Sequence, residues 1–232
     1  MFPWIKFRLV RVPFFLEEGY NEKPSTFRET HEQRMVRKFG SLEAFNAVKK
    51  AHGLISRGAE VGLDAGCGFT QERLDQRVQS ATMNSHRLVH YVTQNFGIEK
   101  AELLYDELNR RHFLEAGALN DYQLLEDSLS VALHSDHDTD NGDERAKTER
   151  YVREARDYLA SSRGTEEVLD LVAQTSSLGI HSIPTLAIDG GQIILNGAVS
   201  STEIVQHLTA LLEANHGQPK GARLFQQAMC GA

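Results

Sequence analysis

Side chains able to do chemistry occur in few places along this chain, and their spacing decides what each could do. The sequence holds two cysteines, Cys67 and Cys230. Thiol–disulfide exchange needs a thiolate and a second thiol close by to resolve the mixed disulfide, as in CxxC at a helix N-terminus. Cys67 and Cys230 are too far apart in sequence to form that motif. Cys67 lies between two glycines with no basic neighbour to favour its thiolate, and it reads as a plain free thiol. Cys230 stands near the end without the final residue of a prenylation box. Both are expected to remain unpaired.

Other candidates weaken when their context is read. VGLDAGCGF at 61–69 resembles the glycine loop of S-adenosylmethionine-dependent methyltransferases, with Gly66 and Gly68 admitting a cofactor beside Asp64. Such a loop needs a strand before it and a helix after it. Here little apolar strand precedes it, the third glycine is replaced by Thr70, and no acid-tipped second strand follows. HSDHDTDNGDE at 134–144 offers His134, Asp136, His137, Asp138 and Asp140 as ligand types. A calcium hand counted from Asp136 would need Gly and Glu where Asn141 and Lys147 stand, so the stretch reads as a solvated acidic loop and no metal is expected. Asn84 is a suitable N-cap for a helix opened by Ser85, His86 and Arg87. His86 could either contact a substrate or close a hydrogen bond that pins that helix. His181 precedes Ile183-Pro184-Thr185 at the mouth of a strand and is the better titratable candidate.

These residues must be held by elements that the pattern foreshadows. Residues 5–16 (IKFRLVRVPFFL) alternate as a strand, with Pro13 marking an edge or bulge. Helices are expected over 28–40, ending at Gly40, from Ser41 onward, and over 82–95, 99–116, 121–134 and 146–162. From 164 the pattern becomes helix, strand (IPTLAI), turn (DGGQ), strand (IIL) and a closing helix capped by Ser200 and Glu203. Residues 60–72 read as extended or looped, and the tail after Gly217 as unstructured.

Bulk properties exclude some partners. The chain has 232 residues, 41% hydrophobic and 25% charged, with a net charge of −7. That suits one large domain or two modest ones. No Lys/Arg stripe favours nucleic acid or an anionic membrane. No apolar run is long enough to span a bilayer. Charges interrupt every apolar stretch of the start, so no secretory signal is read, and the cytosol is the default compartment. A mitochondrial presequence stays open, since Lys6, Arg8 and Arg11 precede the first acid.

The order of elements, with RVPFFL at 11–16, RKFGS at 37–41, NSHRLVHYV at 84–92 and GIHSIPTLAIDG followed by LNGA, resembles the DsbA-family thioredoxin fold. It is most similar to the FrnE-like branch and its relatives, the 2-hydroxychromene-2-carboxylate isomerases and kappa-class glutathione transferases. The resemblance implies an α/β fold. Residues 1–24 and 163–216 would form a thioredoxin-like sheet, N-terminally incomplete, with 25–162 as a large helical insertion and 217–232 as a flexible tail. It implies a cis bond at Ile183–Pro184, an arrangement that turns the backbone of the preceding residue outward to pair with a substrate as an added strand. Substrate contacts would come from Ile183, Pro184, Thr185 and His181, and from Asn84 and His86.

The implied partner is a thiol, disulfide or glutathione-type substrate, or another protein. No cofactor is implied, although glutathione stays open as a ligand. The family's strand and CxxC helix are not found in this chain, and Phe2-Pro3-Trp4 lacks the flanking cysteines. The implied activity, protein-disulfide oxidoreduction, is therefore expected to be silent. A binding module, or a glutathione-using isomerase or transferase, stays open as the alternative. Strands 5–16 and 184–188 would then expose backbone edges that must pair directly, take up residues 1–6, or meet a second copy or another protein. Marginal stability and self-association are expected.

Overall fold

The computed structural model describes residues 9–51, 70–134, 142–188, 191, 193–197 and 199–214. It is mostly helical with two small antiparallel sheets, in keeping with an α/β chain. In order come β1 (Glu29–Thr30), α1 (His31–Phe39), α2 (Leu42–Ala51), α3 (Gln71–Gln76), β2 (Val78–Gln79), α4 (Met83–Leu114), α5 (Tyr122–Leu133), α6 (Gly142–Ala160), α7 (Thr165–Ser177), β3 (Thr185–Ile188), β4 (Ile193–Asn196) and α8 (Ser201–Ala214). The chain divides into a helical unit, Glu17–Thr165, and a smaller unit made from the residues up to Leu16 and from Glu166 onward.

In the helical unit, sequence signals set most helix limits. Thr30 and Gln33 form a reciprocal capping box that starts α1, and α1 stops at Gly40. Ser41 Oγ accepts from Ala44 N (3.1 Å) and opens α2. Gly97, with φ 86° and ψ 172°, breaks α4 into two helical segments, close to the division expected between 95 and 99. Only glycine adopts such a conformation without strain. Asp121 caps α5 by accepting from Gln123 N (2.9 Å) and Leu124 N (3.3 Å).

The core of this unit comes from one face of each long helix. Leu88, Val92, Leu104, Leu108, Leu125, Leu129, Tyr158 and Leu159 pack into one buried cluster. Burying each large apolar side chain contributes about 1.5–3 kcal/mol, so α4, α5 and α6 carry most of the unit's driving force. Cations of α4 close the ends of its neighbours. Lys100 Nζ donates to the Ala132 and Leu133 carbonyls at the end of α5 (3.1 and 3.2 Å), groups that have no partner within the helix.

In the smaller unit, Val168 and Leu171 of α7, Ile180, Leu195 of β4 and Leu212 of α8 are buried. Strand β3 pairs antiparallel with β4, Thr185 opposite Asn196 and Ile188 opposite Ile193. Glu203 N donates to Ser200 Oγ (3.1 Å) at the start of α8, which supplies one half of the expected capping box.

Four expectations are corrected. Residues 9–15 form no strand. Leu9 and Arg11 are exposed and Val10 and Val12 less so. That alternation supplies a burial pattern, but a strand also needs a ladder partner, and Pro13 has no N–H to give. Residues 28–30, expected to be helical, include β1, paired with β2 as Glu29–Gln79 and Thr30–Val78. A single continuous sheet is not present among the described residues, which hold two separate two-stranded sheets. Lastly, Thr82 rather than Asn84 is the N-cap of α4.

Candidate functional site

Helix α7 ends in a turn at Gly179, where Ile180 N donates to the Thr175 carbonyl (3.2 Å) and the Ile180 side chain is buried. The chain then emerges. His181, Ser182, Ile183 and Pro184 are all exposed, Ile183 at 48%. The Ile183–Pro184 bond is cis, as the family resemblance implied. Thr185 Oγ1 donates to the Ser182 carbonyl (2.7 Å) and lies 3.0 Å from Asn196 Oδ1, which ties the loop to both strands of the hairpin.

The register defines which backbone groups this loop offers. Gly197 N donates to the Pro184 carbonyl (2.8 Å). Antiparallel pairs alternate between bonded and non-bonded positions. With Leu186 opposite Leu195 and Ala187 opposite Ile194, the backbone of Leu186 and Ile188 turns toward β4. That of Thr185 and Ala187 turns away, and it meets no other strand among the described residues. The loop therefore presents an apolar side chain, Ile183, and a short row of outward N–H and C=O groups. Such an edge can accept an extended segment by strand addition.

Of the residues expected at the site, His181, Ile183, Pro184 and Thr185 form this one loop. Asn84 and His86 belong to the helical unit. Asn84 Oδ1 accepts from Arg87 Nη1 (2.8 Å), and its Nδ2 donates to Tyr122 Oη (3.2 Å), so its side chain is committed to packing α4 against its neighbours. His86 is half-buried in the first turn of α4. Cys67, Cys230, Phe2-Pro3-Trp4, the glycine stretch at 61–69 and the acidic residues Asp136–Asp140 lie outside the described residues. Among the described residues no three His, Cys, Asp or Glu side chains are grouped to hold a metal ion. Nor is any described helix long and apolar enough to cross a membrane.

Two polar clusters of the helical unit were not singled out by sequence. Around Glu17, Arg34 Nε (2.8 Å), Arg37 Nη2 (3.2 Å) and Lys38 Nζ (2.5 Å) converge on one carboxylate. Burial pushes this carboxyl up, but bonds and charges from Lys38 and Arg34 outweigh it and hold the pKa at about 2. Arg37 also bridges to Glu29 (2.9 and 3.0 Å), which keeps that carboxyl below its usual range, and Tyr20 donates to Glu29. Burial, then the neighbouring Glu29, pushes the Tyr20 hydroxyl up to about 12. Carboxylates this well paired are poor proton acceptors near neutrality, so the cluster works as structure.

The second cluster surrounds Arg87, which is 4% exposed. Its N–H groups reach the carbonyls of Tyr158 (2.9 Å), Leu159 (3.2 Å), Ser161 (2.6 Å) and Arg163 (2.9 Å), besides Asn84. All five donors of the guanidinium are thus used. The sequence signal was an arginine directly beside Leu88 on the buried face of an amphipathic helix. No protein-family model, no curated protein and no solved structure matches the chain.

Proposed function

We propose that this chain is a DsbA-like, FrnE-branch protein of the thioredoxin fold. It binds an extended thiol, disulfide or glutathione-type ligand along Ile183–Ala187, without disulfide turnover of its own. The outward backbone of Thr185 and Ala187, next to exposed Ile183, carries this reading. The succession of α7, proline loop, hairpin and α8 supports the fold assignment. Recognition would be by main-chain pairing, with Ile183 and Thr185 framing the bound segment and His181 beside it. Disulfide exchange needs a thiolate to attack one sulfur of the substrate and a second thiol to release the enzyme. The two cysteines of this chain are too far apart in sequence to form a CxxC motif. In the absence of a ligand, the same edge is where a second copy would pair.

The test uses the full chain, with glutathione and a permanently unfolded, S-carboxymethylated protein as probes. Amide resonances of Thr185 and Ala187 should shift on titration with one of them, while insulin reduction stays at background. Unchanged resonances with both probes would overturn the binding reading. Insulin turnover that is abolished by Cys67→Ser would overturn the claim of redox silence.

A further inference from the structure

The backbone passes between the two units at two places, Leu16–Glu17 and Thr165–Glu166. On the helical side, each passage is gripped by a different polar device. At the first, Glu17 is held by Arg34, Arg37 and Lys38, all on α1. The residues just after it wind into a 3₁₀ turn, Glu18–Tyr20, with Tyr20 buried and donated to by Arg37 Nη2 (2.9 Å). Three cations on one helix thus seize the first residue of the unit.

At the second, α6 ends at Ala160, and the turn that follows would have orphan carbonyls. Arg87 reaches across from α4 and binds four of the carbonyls between Tyr158 and Arg163. Ser161 Oγ donates to the Tyr158 carbonyl (2.7 Å) and accepts from Arg163 N (3.2 Å), which tightens the same turn. Gly164 closes it with φ +75°, and a Cβ there would sit 1.6 Å from Tyr158 Oη. Thr165 N donates to the Ser162 carbonyl (3.2 Å) as α7 begins.

We infer that Glu17 and Arg87 are tethers that fix, from the helical unit alone, the two points at which the chain enters and leaves it. The apolar cluster is built by side chains of α4, α5 and α6, whereas Glu17 and the guanidinium of Arg87 act on the two passages. Each instead immobilises a passage that would otherwise be a loose connection. Two different chemistries are used. A half-buried carboxylate is bound by side-chain cations in one case, and main-chain carbonyls by a buried guanidinium in the other. A lysine cannot reproduce the second in full, because its three donors on one nitrogen replace five held in a planar fork.

Hydrogen–deuterium exchange on the full chain tests this with Arg87→Lys and Glu17→Gln. Amides at 159–165 should exchange faster by about tenfold or more in R87K, and those at 18–21 in E17Q, with the amides of Leu104 and Leu129 unchanged. Equal acceleration across Leu104 and Leu129 would overturn the inference, making these residues general stabilisers. Unchanged local exchange in both variants would overturn it too. If R87K does not fold, E17Q decides the inference alone, since each tether acts on its own passage.

Discussion

In the helical unit, Leu88, Leu104, Leu125 and Leu129 have no exposed surface, and the buried charges Arg87, Glu29 and Glu107 are matched by several partners each. In the smaller unit, Leu169, Leu178, Ile183, Ile194 and Val205 are all exposed, and β3 has a single strand partner among the described residues. The first region, although Leu103 and Val131 are exposed there too, matches these buried charges internally. The second retains surface and main-chain groups that can still bind something. The proposed function rests on the outward main-chain edge of the second region.

The largest expected effect breaks that contrast from the stable side. Leu104 is fully buried within the cluster of α4, α5 and α6. Leu104→Ala should destabilise the helical unit by about 2–5 kcal/mol, whereas Val205→Ala should change stability by less than about 0.5 kcal/mol. Urea unfolding followed by circular dichroism, which is dominated by helices, measures both. A small loss for Leu104→Ala would mean that the cluster is not the unit's core.

The helical limits were legible because their signals are local. Gly40, Ser41, Asp121 and Ser200 act on backbone groups within four residues, and the gap expected between two helices coincided with Gly97. The strand expected over 5–16 failed in its described part because alternation says which side is buried and nothing about a ladder partner. The pairing of Glu29–Thr30 with Val78–Gln79 was invisible for the same reason, since two-residue strands have no period to read. At the candidate site, Ile183-Pro184-Thr185 could be picked out as a strand entry. The outward turn of Ala187 could not, because it depends on the parity set by Gly197. Asn84 was legible as a polar helix-start residue, but its commitment to Arg87 and Tyr122 required their three-dimensional positions.

A smaller effect sharpens the contrast through acid. The Glu17 carboxyl moves from an ordinary 4.5 to about 2 on folding, and that of Glu107, bound by Arg110 and Arg111 against the opposing pull of burial, also lies at about 2. Both values are depressed, so the folded state favours the ionised form. The stability they confer is fully present above pH 4.5 and is lost as pH falls toward 2. The urea midpoint of the helical unit should therefore decline through that window. In Glu17→Gln the decline should be shallower, because one of the two contributions has gone. An identical pH dependence in the variant would show that Glu17 is not held by its cations in solution.

The smallest expected effect on stability concerns the site itself. Ala187 has an exposed side chain, and its backbone groups point away from β4, so a substitution there leaves the ladder bonds of Leu186 and Ile188 in place. Ala187→Lys should then shift stability by no more than about 0.5 kcal/mol, a change near the limit of detection. Its effect on association should be far larger. A lysine on a strand edge resists burial beside a second strand, since any added partner must desolvate the ammonium or be displaced by it. Sedimentation velocity across a concentration series should show the parent chain associating and Ala187→Lys remaining monomeric. Leu186→Pro is the matched control: it removes an N–H that faces β4, and it should weaken the hairpin as well as the association. If Ala187→Lys associates as the parent does, the outward edge of β3 is not the contact, and the case for strand addition at Ile183–Ala187 loses its support.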